Sequence, residues 1–88
     1  MHFMITYAFS NDVRNTAQER FKKTGGTPGE GVKMLGRWHA LGGGHGFVLI
    51  ESNDTVAIGK FMQEWNDLLE FEVIPVSNDE DVMKVLGS

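Results

Sequence analysis

Residues 36–52 read GRWHALGGGHGFVLIES, and this stretch decides the fold. Gly42-Gly43-Gly44 is a turn signal between two segments with a period of two, so the stretch predicts a β-hairpin. In the second arm Gly46, Val48 and Ile50 share one parity, and Phe47 and Leu49 share the other. A strand with one face in water alternates apolar and polar residues. This one is apolar on both, so both faces are expected to be covered. In the first arm Val32, Met34, Trp38 and Ala40 fall on one face, expected to pack under helices; Lys33, Leu35, Arg37 and His39 fall on the other. Placing His39 opposite His45 leaves a connection from Ala40 to Gly44, a common hairpin loop. It also sets Arg37 opposite Phe47, Leu35 opposite Leu49 and Lys33 opposite Glu51, with Trp38 over Gly46 and Val48 over Gly36.

Outward from the hairpin, the flanking segments supply the remaining elements. His2 to Phe9 alternates Phe3, Ile5, Tyr7 and Phe9 with Met4, Thr6 and Ala8, the pattern of a strand. Ser10, Asn11 and Asp12 offer helix caps, and Val13, Ala17 and Phe21 form a stripe on a helix running to about Lys23. Gly25-Gly26 ends that helix, and residues 24–31, TGGTPGEG, form a polar connection. After the hairpin, Asn53 or Asp54 caps a second helix with Ile58, Phe61, Met62 and Trp65 on its apolar stripe. Leu69 to Val76 is a fourth strand, and Pro75 suits it to a sheet edge because proline cannot donate to a ladder. Asn78 caps a short final helix, DEDVMKVL. The expected fold is a single α+β domain over residues 1–88. It is the ferredoxin-like βαββαβ arrangement, with a four-stranded antiparallel sheet plus a short C-terminal helix.

Composition narrows the function classes. A chain of 88 residues buries only roughly 60–65% of its unfolded surface, so partner subunits help such domains. With no cysteine, disulfides and thiolate chemistry are excluded, which suits a reducing, cytoplasmic setting. The net charge of −4 argues against a general nucleic-acid or anionic-membrane binder. No apolar run approaches membrane-spanning length, and MHFMITYAF lacks the basic start and cleavage site of a signal peptide. Leaving Phe47, Leu49 and Leu35 in water would forfeit roughly 1.5–3 kcal/mol each relative to burial. A homodimer packed through its sheet faces is therefore expected.

The candidate chemistry gathers at the hairpin. His39 can serve as proton donor or acceptor, the candidate catalytic residue, because histidine titrates near neutrality. Arg37 can clamp an anion, and Tyr7 or His45 can orient the group that binds. Tyr7, Arg37, Trp38, His39 and His45 are thus the candidate ligand-binding set. The bland alternative is that the histidines merely flank a turn. No metal and no cofactor are expected: His2, His39 and His45 lack ligand spacing, and the carboxylates cluster elsewhere. GGGHGFVLI imitates an RNA-recognition signature, but Gly43 and His45 stand where basic and aromatic residues belong. The glycines join two strands, so no helix N-terminus is there to receive phosphate. NDEDVMK lacks the glycine-containing spacing of a calcium loop.

GRWHA, GFVLIES, EWNDLLEFEVIPV and the opening FMITY together resemble a family of short, mostly bacterial proteins known only as a domain of unknown function. The resemblance runs from about Phe3 to about Val85. That family is similar to the dimeric α/β-barrel superfamily, which includes cofactor-free monooxygenases, isomerases, polyketide cyclases and stress-responsive proteins. The resemblance implies a ferredoxin-like protomer whose sheet pairs with a partner's sheet, and no particular activity. Three functions follow as expectations. The first is a homodimeric small-molecule-binding protein. The second is a cofactor-independent enzyme on a small aromatic or polyketide-like substrate. The third is a structural or regulatory interaction module.

Overall fold

The opening alternation forms β1 (His2–Ala8), as expected of aromatic and β-branched residues at a period of two. The computed structural model describes residues 1–87. After β1 come a 3₁₀ turn (Asn11–Val13), α1 (Arg14–Thr24), β2 (Lys33–His39), β3 (His45–Glu51), α2 (Thr55–Gln63), β4 (Glu70–Val76) and α3 (Asp79–Val85). The sheet order is β2-β3-β1-β4, with every neighbouring pair antiparallel. This is the ferredoxin-like order, with β1 and β3 central and β4, carrying Pro75, at an edge.

The helix ends separate cap residues that work from those that do not. Asp54, rather than Asn53, caps α2: its carboxylate accepts from the backbone N–H groups of Val56 and Ala57, each at 3.0 Å. Asn53 instead accepts from the terminal amino group. Asn78 caps α3 through the Asp81 N–H. Ser10, Asn11 and Asp12 cap nothing. The Ser10 hydroxyl donates to Asp12, Asn11 accepts from Arg14, and a 3₁₀ turn precedes the helix. Gly25 closes α1 in the left-handed conformation (φ 72°), its N–H donating to the Phe21 carbonyl. Helix α2 ends at Gln63, so Trp65 lies in the turn beyond it, still buried.

The core joins Ile5, Val48 and Ile50 of the sheet to Ile58 and Phe61 of α2. Burying side chains of this size contributes roughly 1.5–3 kcal/mol each. Helix α1 adds a buried Ala17, while Phe21 at its far end stays partly exposed. Arg20 ties α1 to the turn after α2. Its guanidinium donates twice to the Asp67 carboxylate at 2.8 Å and once to the Glu64 carbonyl, and lies over the Trp65 ring. Helix α3 buries none of its residues.

The hairpin register departs from the sequence expectation. Lys33 does pair with Glu51, and Met34 pairs with Ile50. A bulge between Met34 and Gly36 then interrupts the ladder. Beyond it Gly36 pairs with Leu49, Arg37 with Val48, Trp38 with Phe47 and His39 with Gly46. One extra residue in one strand moves every later side chain to the opposite face. Arg37 and His39 therefore share the helix-covered face with Val48. Trp38 lies on the open face, 55% exposed, rather than under the helices. Its ring covers Gly36, not Gly46, and the Tyr7 ring covers Gly46. Phe47 and Leu35 are exposed as well, and Leu49 is half-buried.

Candidate functional site

The inward turn of Arg37 and His39 has a structural consequence: a cavity of about 440 Å³ opens between the helix-covered face and α1. Its floor is apolar, made by Ile5, Val48, Phe61 and Trp65, all buried. Its mouth is made by the end of β1, the end of β2, the glycine loop and the stripe Arg14, Ala17, Gln18 and Phe21 of α1. These α1 positions stand at i, i+3, i+4 and i+7, one helix face.

At the mouth, Tyr7 and His39 meet across the gap between β1 and β2. The phenol oxygen and His39 Nδ1 share a hydrogen bond of 2.5 Å, with ring centroids 5.9 Å apart. In the neutral pair, a phenol donating to Nδ1 leaves the imidazole N–H on Nε2. Phe21 packs against His39 (5.4 Å between centroids), and Phe9 stacks parallel to Tyr7 at 6.2 Å. Burial raises the Tyr7 pKa above the ordinary phenol value, opposed by the nearby Arg37 charge. The phenol is thus held in its protonated form, able to donate.

Arg37 is fixed from the other side. One terminal nitrogen donates to the Gly26 carbonyl at 2.7 Å and the other to the Gly25 carbonyl at 2.8 Å. The guanidinium lies 4.6 Å from the Phe21 ring centroid. Burial lowers its pKa, opposed by Tyr7. The fork thus satisfies carbonyls that the end of α1 leaves without helical partners. Arg37 braces the helix as well as contributing positive charge to the cavity wall.

Of the residues singled out from sequence, Tyr7, Arg37 and His39 come together here. His45 borders the mouth, but its parity and its edge-on ring contact with Phe47 place the ring on the open face. Trp38 lies on the open face and takes no part in the cavity. Sequence reading passed over Arg14, Phe9, Phe21 and Phe71 as wall residues. Arg14 had a usable signal, a cation three residues before Ala17 and seven before Phe21 on the helix's apolar stripe. Among the described residues, no three His, Cys, Asp or Glu side chains converge to hold a metal ion. Chemically, the arrangement can bind an apolar body, hold a polar group at the Tyr7–His39 pair and pass a proton through it.

A family model described as a domain of unknown function (DUF3303) matches residues 1–88. No curated protein matches the chain. Among the described residues, no helix is long and apolar enough to cross a membrane.

Proposed function

The chain belongs to the DUF3303 domain-of-unknown-function family, a description that assigns no activity, and from the geometry we propose that it is a homodimeric small-molecule-binding protein. The observation that carries this reading is the cavity. Its volume of about 440 Å³ falls within the range of roughly 300–1,000 Å³ usual for ligand pockets, and it pairs an apolar floor with a few convergent polar groups. Support for the dimer comes from the open face, where Trp38 lies beside Phe47 and a second row runs Leu49, Met4, Ile74 across β3, β1 and β4. Two such faces packed together give the arrangement of a dimeric α/β barrel.

Two measurements test the proposal. In a Trp38→Phe variant Trp65 is the sole indole, and it lies in the cavity wall. A neutral aromatic probe such as naphthamide should alter its emission saturably; a titration with no saturable change overturns the binding reading. Sedimentation should show a dimer that Phe47→Glu dissociates, since each copy would bury an unpaired carboxylate. A wild-type monomer at micromolar concentration overturns the assembly.

A cofactor-independent enzyme is the second reading, and the Tyr7–His39 hydrogen bond inside the cavity mouth favours it. It expects His39→Ala to abolish turnover of a bound aromatic or polyketide-like substrate while melting temperature and dimer persist. Parallel loss of folding and turnover would instead make His39 structural.

A further inference from the structure

We infer that the cavity takes a small organic anion with an aromatic body, of which an aromatic carboxylate is the simplest form, and that Arg14 binds its anionic group. The inference rests on the cavity reading above and adds the charge of the ligand and the residue that recognises it. The chain carries 12 acidic side chains against 8 basic ones, yet among the described residues no aspartate or glutamate contributes to the cavity wall. Two guanidiniums, of Arg14 and Arg37, do. Among the described residues neither has a carboxylate within 4.0 Å, whereas Arg20 is paired with Asp67. A positive cavity in an acidic protein selects anions by steering as well as by contact.

The two arginines differ in what they have left to give. Arg37 commits both terminal nitrogens to carbonyls at the end of α1. Among the described residues Arg14 donates only to the Asn11 side-chain oxygen, at 2.9 Å, out of the five N–H groups an arginine carries. Its guanidinium lies against the glycine loop and over Phe9 (6.0 Å to the centroid). Gly43 makes that position possible. A Cβ there would stand 2.7 Å from Arg14 Nη1, and the φ of +80° favours glycine in any case. Arginine's planar fork matches a carboxylate with two parallel hydrogen bonds. Phe9, Phe21, Phe61 and Trp65 offer ring faces and edges to the body of the ligand.

Calorimetric titration of the full chain with naphthoate and with naphthamide, its neutral analogue, tests the assignment. Naphthoate should bind at least about tenfold more tightly, and added salt should weaken it more than the amide. Arg14→Gln should erase that preference by weakening naphthoate far more than naphthamide while the melting temperature holds, and Arg14→Lys should restore part of it. Equal affinity of the wild-type chain for both probes overturns the anion assignment and leaves the cavity reading standing. Failure of both to bind overturns the cavity reading with it. If Arg14→Gln weakens both probes and lowers the melting temperature, Arg14 is a structural residue and its assigned role falls.

Discussion

Arg37 is the residue whose replacement separates bracing from ligand recognition. Arg37→Met keeps most of the apolar stem and removes the guanidinium. Two hydrogen bonds from the charged fork are lost, to Gly25 and Gly26, together with the contact over Phe21. A hydrogen bond to a charged group is worth roughly 1.5–3 kcal/mol, and a cation over an aromatic face adds about 0.5–1 kcal/mol near the surface. Arg37 is only partly buried, so the low ends apply and the sum is about 3.5 kcal/mol. Water can reach the half-buried Gly25 carbonyl and restore some of this, whereas Gly26 is buried and its carbonyl would be left without a partner. A net loss of about 3 kcal/mol is expected, equivalent to a fall of roughly 12–24 °C in melting temperature for a domain of this size. Arg37→Lys should recover less than half, since a single ammonium cannot fork to both carbonyls. Urea denaturation followed by circular dichroism, at one fixed protomer concentration, gives the number. A loss below about 1 kcal/mol for Arg37→Met, on the same scale of charged hydrogen bonds, would refute the bracing role.

Three further outcomes are expected. Gly46→Ala places a methyl group against the Tyr7 ring and the Trp38 carbonyl; a cost of about 1–3 kcal/mol is expected for such overpacking, and Tyr7→Ala in the same chain should relieve the ring's share but not the carbonyl's. Burial raises the Tyr7 pKa, so the stability tied to its protonated form is fully present below about pH 10 and falls as pH rises through the higher folded value. Tyr7→Phe should flatten that alkaline fall in a pH series of melts, and an unchanged slope would count against it. The hydrogen bond from Arg20 lowers the Asp67 pKa, so this pair's contribution is present above about pH 4 and is lost as pH falls through the lower folded value. Asp67→Asn should therefore reduce acid sensitivity below about pH 4, and an acid limb unchanged from wild type would remove the pair from the account.

Much of the fold was legible because each element carries a local signature. The Phe3, Ile5, Tyr7 alternation, the Gly25 stop and the Asp54 cap each act within a few residues. Their order then admits few topologies, and β4's edge position followed from Pro75. The caps at Ser10 to Asp12 misled, because those side chains hydrogen-bond one another and Arg14 instead of the helix. The site was legible in part. Tyr7 and His39 meet because β1 and β2 flank β3, which element order implies. Arg37's engagement with the end of α1 was not legible, since a contact between a strand and a loop leaves no periodic trace. Nor was Trp38's position read correctly, because counting by twos fails at a bulge, and Gly36, an isolated glycine within a strand pattern, was the signal passed over.

That bulge has a physical role larger than its size. Without it, β2 would turn Trp38 and Gly36 toward the helices and Arg37 and His39 outward. An indole at that position would compete for the space now held by the cavity, and the α1 carbonyls would lose the fork that satisfies them. The open face, which already carries the His45 ring and Glu72, would gain a guanidinium beside Phe47, and packing a second copy there would desolvate that charge at a cost of several kcal/mol unless a carboxylate met it. With the bulge, one short strand serves both surfaces. Its polar side chains, Arg37 and His39, line the cavity wall, and its tryptophan joins the open face where we propose that a second copy packs. The cavity and the proposed interface are therefore coupled through the register of β2. A substitution that slips this register should impair ligand binding and assembly together, whereas changes at Arg14 or Phe47 should impair only one of them.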